Sequence, residues 1–198
     1  MKLKKILTLM CCAVLLVCIS VGATVAYLTS QDAVTNTFTV GALTITLDET
    51  DVDVNGVKDG ETRVKANTYH IVPKHTYTKD PVVHFPSTND KSYVFVKVQN
   101  DLAAYESTAT GYVNIATQIT NNGWAALNGV NNVFYQVVEK TGANQDLEVF
   151  ESFTIDENAQ NVEGFADIAK KQILVNAYAI QFDGFENANA AWTAGNWQ

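Results

Sequence analysis

Residues 92–100, SYVFVKVQN, alternate with a period of two. Val94, Val96 and Val98 fall on one face, and Tyr93, Phe95, Lys97 and Gln99 on the other. Successive side chains of a strand point to opposite faces, so this spacing specifies an extended segment with two different surfaces. NVFYQVVE (132–139) and ILVNAYAIQF (173–182) carry the same signal in β-branched and aromatic residues. TYHIV (68–72), VVHF (82–85), YVNIATQI (112–119) and EVFESFTI (148–155) are further expected strands. Turn chemistry separates them at Asn55-Gly56, Asp59-Gly60, Asp80-Pro81, Asn122-Gly123 and Thr141-Gly142. Many short strands divided by tight turns specify an all-β chain, an antiparallel sandwich or barrel. Helical spacing is confined to NVEGFADIAKK (161–171) and GFENANAAWTAG (184–195), read as short packing elements that cover a sheet edge or end.

The N-terminus has a different character. Lys2, Lys4 and Lys5 precede an apolar run from Ile6 to Val21, followed by the small-residue stretch 22–26. This is the pattern of a signal peptide over residues 1–26, cut between Ala26 and Tyr27. The alternative is an uncleaved anchor, in which case the chain touches the membrane only through this segment. In both cases the lysines stay inside and the remainder is delivered outside the cell. Cys11, Cys12 and Cys18 all lie in the segment, so residues 27–198 contain no cysteine. A disulfide scaffold and a thiol enzyme are excluded for the exported part. The whole chain has a net charge of −8, and losing the three lysines makes it more negative. Such a surface argues against nucleic acid and anionic membranes as partners. Residues 27–198 are read as a single β-sandwich domain.

The first exported stretch, YLTSQDAVTNTFTVGALTITLDE, changes phase. Val34, Phe38 and Val40 are even-numbered; Leu43, Ile45 and Leu47 are odd-numbered. A one-residue slip turns every side chain over, so Gly41 marks a bulge or a crossing between packing environments.

Two groups of residues raise the question of metal binding. His70, His75 and His84 lie close together in sequence, and a zinc site is one reading. No H-E-x-x-H helix is present, and Pro73 and Pro81 oppose one, so polar strand or loop histidines are expected instead. Asp51, Asp53, Asn55 and Gly56 begin like a calcium loop, but Thr62 stands where the bidentate Glu belongs. An Asn-Gly hairpin with Val52, Val54 and Val57 on its arms is the expected structure. Nucleophilic catalysis has no support: there is no G-x-S-x-G, no phosphate-cradling glycine loop and no specific carboxylate pair. No catalytic residue and no cofactor is indicated.

Several stretches together resemble the camelysin/TasA family of secreted Gram-positive matrix proteins: GATVAYLTSQDAVTNTFTVGALTITLDE at the signal junction, YHIVPKHTYTKDPVVHF with SYVFVKV, and VNAYAIQFDGFENANAAW near the C-terminus. The resemblance implies a jelly-roll-like sandwich and a non-enzymatic, extracellular subunit of biofilm-matrix fibres. It implies cleavage by a dedicated signal peptidase of the ER type. It also implies assembly by donor-strand exchange, in which the N-terminal strand of one subunit fills the sheet of the next. The partner is then a sister molecule in a head-to-tail homopolymer, or a related matrix subunit. Residues 27–40 would be the donated strand, with Tyr27, Leu28, Val34, Phe38 and Val40 as its side-chain anchors and Gly41 as the hinge. An exposed strand invites pairing at its edge, and a head-to-tail contact that does not close propagates as a fibre. The camelysin branch is also classed as a surface metalloprotease, so a zinc protease is the enzymatic alternative. A monomeric surface adhesin or calcium-binding module is the third.

Overall fold

The computed structural model describes residues 43–195 and Trp197. The cleavage positions Ala26 and Tyr27, the strand anchors Leu28, Val34, Phe38 and Val40, and the hinge Gly41 lie outside the described residues.

Among the described residues ten strands form: β1 Thr46–Val52, β2 Lys58–Val64, β3 Thr76–Thr78, β4 Val82–Phe85, β5 Ser92–Asn100, β6 Ala125–Ala126, β7 Val133–Val138, β8 Gln145–Glu148, β9 Ser152–Thr154 and β10 Ile173–Gln181. They make two four-stranded sheets, ordered β2-β1-β4-β8 and β10-β5-β7-β6, and a small sheet of β3 with β9. Every pairing is antiparallel. The all-β sandwich with short helices that the sequence specifies is the fold the chain adopts.

The centre of the second sheet is β5, and its two-faced pattern explains the layering. Val94, Val96 and Val98 point into the main core with Tyr77, Val83, Phe85, Trp124, Phe150, Phe153 and Ile155. Tyr93 and Phe95 point the other way, into a smaller cluster on the outer face. That cluster is covered by helix α2, Ala188–Ala194, whose Asn187 cap accepts a hydrogen bond from Ala190 N at 2.9 Å. Trp192 packs on Phe95 and Tyr178 at ring separations of 5.2 and 5.6 Å. A β-strand buried on both faces takes apolar residues on both, and β5 is fully buried through the apolar run Tyr93 to Val96. Each such Val or Phe contributes about 1.5–3 kcal/mol relative to an exposed one.

The expected Asn-Gly hairpin joins β1 to β2. Asp53 Oδ1 accepts from Asn55 N and Val57 N, both at 2.9 Å, and Gly56 adopts φ +74°. A Cβ at Gly56 would stand 2.8 Å from Tyr77 Cα, so the tip closes on a buried ring through backbone alone.

Four expectations are corrected. Residues 112–119 do not form a strand: Ile115–Asn121 is helix α1, capped by Asn114 Oδ1, which accepts from Thr117 N at 2.8 Å. Ile115 and Ile119, four apart, are the buried pair, a helical spacing hidden within an apparently alternating run. Residues 68–72 are irregular, because their backbone groups are satisfied elsewhere: His70 N donates to Val54 O, and Tyr77 Oη donates to His70 O and accepts from Val72 N. The stretch 148–155 is broken at 149–151, where the buried Val149 and Phe150 turn the chain from β8 into β9 of a different sheet. The expected helix over 161–171 is instead two 3₁₀ segments, Ala159–Asn161 and Phe165–Lys170, separated by the left-handed Gly164.

Candidate assembly groove

Among the described residues β10 ends its sheet, with β5 as its one neighbour. Its nine residues pair in unbroken register with β5, from Ile173 opposite Asn100 to Gln181 opposite Ser92. The two strands differ sharply in cover. Val94, Val96 and Val98 of β5 are at most 5% exposed, whereas their partners Ala179, Ala177 and Val175 are only half-buried, and Leu174 is 46% exposed. An apolar strand that is incompletely covered at a sheet edge is the geometry that accepts a further strand.

Beside the first three residues of β10, Ile173, Leu174 and Val175, lies a groove of about 560 Å³. It is lined by Leu47, Asp48 and Glu49 of β1, the segment 65–69 with Ile71, and Lys79 and Pro81, together with Leu102, Phe153 and the run from Ile168 through Ala169 and Lys171 to Val175. Leu43, Ile45 and Leu47, the odd-numbered apolar residues after the phase change, pack partly buried against the main core. Lys65 adds a cation to the rim and its Nζ donates to Leu47 O.

The β1 wall holds a buried polar triad. Glu49 and Lys79 are 4% and 9% exposed, and Lys79 Nζ lies 2.5 Å from Glu49 Oε2. Asn67 Nδ2 donates to Glu49 Oε1 at 2.9 Å and to Thr50 O at 2.8 Å, while Asn67 Oδ1 accepts from Val52 N at 3.1 Å. No sequence motif marks these residues; they converge only because β1 and the turns after β2 and β3 meet.

The histidines separate. His70 and His75 come to the β1–β2 hairpin tip, where His75 Nε2 sits 2.8 Å from Asn55 O and its ring meets Tyr77 edge-on at 4.5 Å. His84 stands in mid-sheet on β4, with Nδ1 2.6 Å from Asp146 Oδ1 and Nε2 2.9 Å from Asp48 Oδ1. Arg63 continues this ladder across β2, pairing with Asp48 and, at 3.4 Å, with Asp80. Burial by itself would lower the His84 pKa, but the hydrogen bonds to Asp48 and Asp146 outweigh it and hold it above the usual imidazole value. Burial likewise acts to raise Asp48, and the hydrogen bonds from Arg63 and His84 override it, so its carboxyl titrates below the usual range. Of the calcium-loop residues, Asp51 lies in β1 and is half-buried. Asp53 holds the turn: hydrogen bonding from Val57 N, ahead of smaller contributions, keeps its pKa low. Among the described residues, no three His, Cys, Asp or Glu side chains converge in a way that could hold a metal ion. Among them, too, no helix is long and apolar enough to cross a membrane.

No curated protein and no solved structure matches the chain. Residues 2–76, which reach through β1 and β2 to the first residue of β3, match the family model described as camelysin metallo-endopeptidase, and the assignment of the chain to the camelysin/TasA family is consistent with that match.

Proposed function

We propose that the protein is a non-enzymatic, secreted structural subunit of an extracellular matrix fibre, and that it assembles by donating residues 27–40 to the β10 edge of a sister molecule and to the groove at the start of that strand. The observation that carries this reading is the half-covered, nine-residue β10, whose first three residues line a groove of about 560 Å³. The donated segment supplies main-chain hydrogen bonds to the β10 edge, and Leu28, Val34, Phe38 and Val40 supply apolar cover to its half-buried residues. Gly41 allows the arm to leave its own domain before Leu43, Ile45 and Leu47 return to the core. Until cleavage after Ala26, the arm is tied to the membrane segment, so assembly is confined to the outside of the cell. Electron microscopy of the chain beginning at Tyr27 is expected to show filaments. The chain beginning at Gly41 is expected to remain monomeric; filaments from it would refute strand donation.

The enzymatic reading rests on the description of the matching family as metallo-endopeptidases. The dispersal of His70, His75 and His84 favours the structural reading over it. A protease assay with and without chelator separates the two.

A further inference from the structure

We infer that Lys79 and Asn67 form an intramolecular isopeptide bond, with Glu49 as the acid–base group. Four features of the β1 wall point to this chemistry. The nucleophile and the leaving group touch the two oxygens of one carboxylate: Lys79 Nζ is 2.5 Å from Oε2, and Asn67 Nδ2 is 2.9 Å from Oε1. The Asn67 carbonyl oxygen accepts the Val52 N–H at 3.1 Å, a donor already aimed where negative charge develops when Cγ is attacked. The amine and carboxylate are buried, at 9% and 4% exposure, which holds the two groups that exchange the proton in contact away from bulk water. The orientation of the Asn67 amide is fixed, since its nitrogen donates to Glu49 and Thr50 O while its oxygen accepts from Val52.

The step balances without any co-reactant. Glu49 Oε2 takes a proton from the Lys79 ammonium, and the freed amine adds to Asn67 Cγ, forming the new C–N bond. Charge gathers on Oδ1, facing Val52 N–H. Glu49 hands the proton it took to Asn67 Nδ2 through Oε1, the Asn67 Cγ–Nδ2 bond breaks, and the regenerated carboxylate takes the second proton from the new nitrogen. Ammonia leaves, takes up the remaining proton as ammonium, and Glu49 returns to the carboxylate. Nothing is oxidised or reduced; an ammonium side chain and a carboxamide become an amide and free ammonium.

The product closes a covalent loop over residues 67–79, which carries β3, and joins two parts of the groove wall. In a chain whose exported part has no cysteine, this is a cross-link that does the work of a disulfide by restricting the unfolded state.

The test is the mass of the purified chain, denatured before measurement, followed by tryptic mapping. The expected result is a chain lighter than its calculated mass by one ammonia, with residues 66–74 joined to 75–91 and no cleavage after Lys79. Glu49→Gln and Lys79→Met are expected to restore the full mass in chains whose circular dichroism remains that of a β protein. Two results overturn the inference. One is a wild-type chain at its full calculated mass. The other is an ammonia loss that maps to an Asn-Gly pair, as a succinimide would, and persists in Lys79→Met. Because the wild-type measurement needs neither filaments nor a folded variant, its outcome is independent of strand donation.

Discussion

His84 Nε2 lies 2.9 Å from Asp48 Oδ1, and this contact links β4 to β1 on the outer face of the first sheet. The same ring reaches Asp146 on β8, and Asp48 also meets Arg63 on β2, so one ladder of alternating charge crosses all four strands. The ladder sets a pH window for stability. The raised His84 pKa contributes stability that is complete below the unfolded value of about 6.5 and is lost as pH rises through the folded value. The lowered Asp48 pKa contributes stability present above about 3.9 and lost as pH falls through the folded value. Thermal unfolding between these limits is expected to give the highest midpoint. His84→Gln is expected to cost about 0.5–1 kcal/mol at mildly acidic pH and less at alkaline pH, because the pairs are partly exposed.

Gly56 is the position where the hairpin tip tolerates no side chain. With φ +74° and a would-be Cβ 2.8 Å from Tyr77 Cα, Gly56→Ala combines backbone strain with a clash against main chain. Denaturant unfolding is expected to show a loss of about 2 kcal/mol or more.

Helix α1 starts from a single side chain. Asn114→Ala removes the hydrogen bond to Thr117 N and is expected to cost about 1 kcal/mol, read as a lower denaturant midpoint with unchanged slope.

Leu174 lines the groove at 46% exposure, so it contributes little to the isolated fold. Leu174→Lys places on the β10 edge the residue type that blocks strand addition. The variant monomer is expected to unfold within about 0.5 kcal/mol of wild type. Its critical concentration for filament growth is expected to rise by about tenfold or more, measured by sedimentation.

The sandwich was legible where a pattern was long and unambiguous. The alternation in SYVFVKVQN names the two faces of β5 correctly, and Asn55-Gly56 names the hairpin that joins β1 to β2. Reading fails where a local pattern has two solutions. Ile115 and Ile119 fit either an alternating strand or one face of a helix, and the Asn114 cap decides between them. It fails again where partners are distant: Tyr77 takes the hydrogen bonds that would have made 68–72 a strand. The strand character of β10 was visible, but its place at the end of its sheet among the described residues depends on topology, which no local signal carries. The Glu49–Lys79–Asn67 triad is less legible still, because three ordinary residues acquire their chemistry only by meeting.

Amide exchange along β10 tests strand donation most directly. In the chain beginning at Gly41, outward-facing amides of 173–181 are expected to exchange quickly. On addition of a synthetic peptide of residues 27–40, and equally in filaments of the chain beginning at Tyr27, those amides are expected to become protected while β5 stays as it was. Protection of the β10 edge that is already complete in the Gly41 chain, or that does not change with peptide or assembly, would contradict the account.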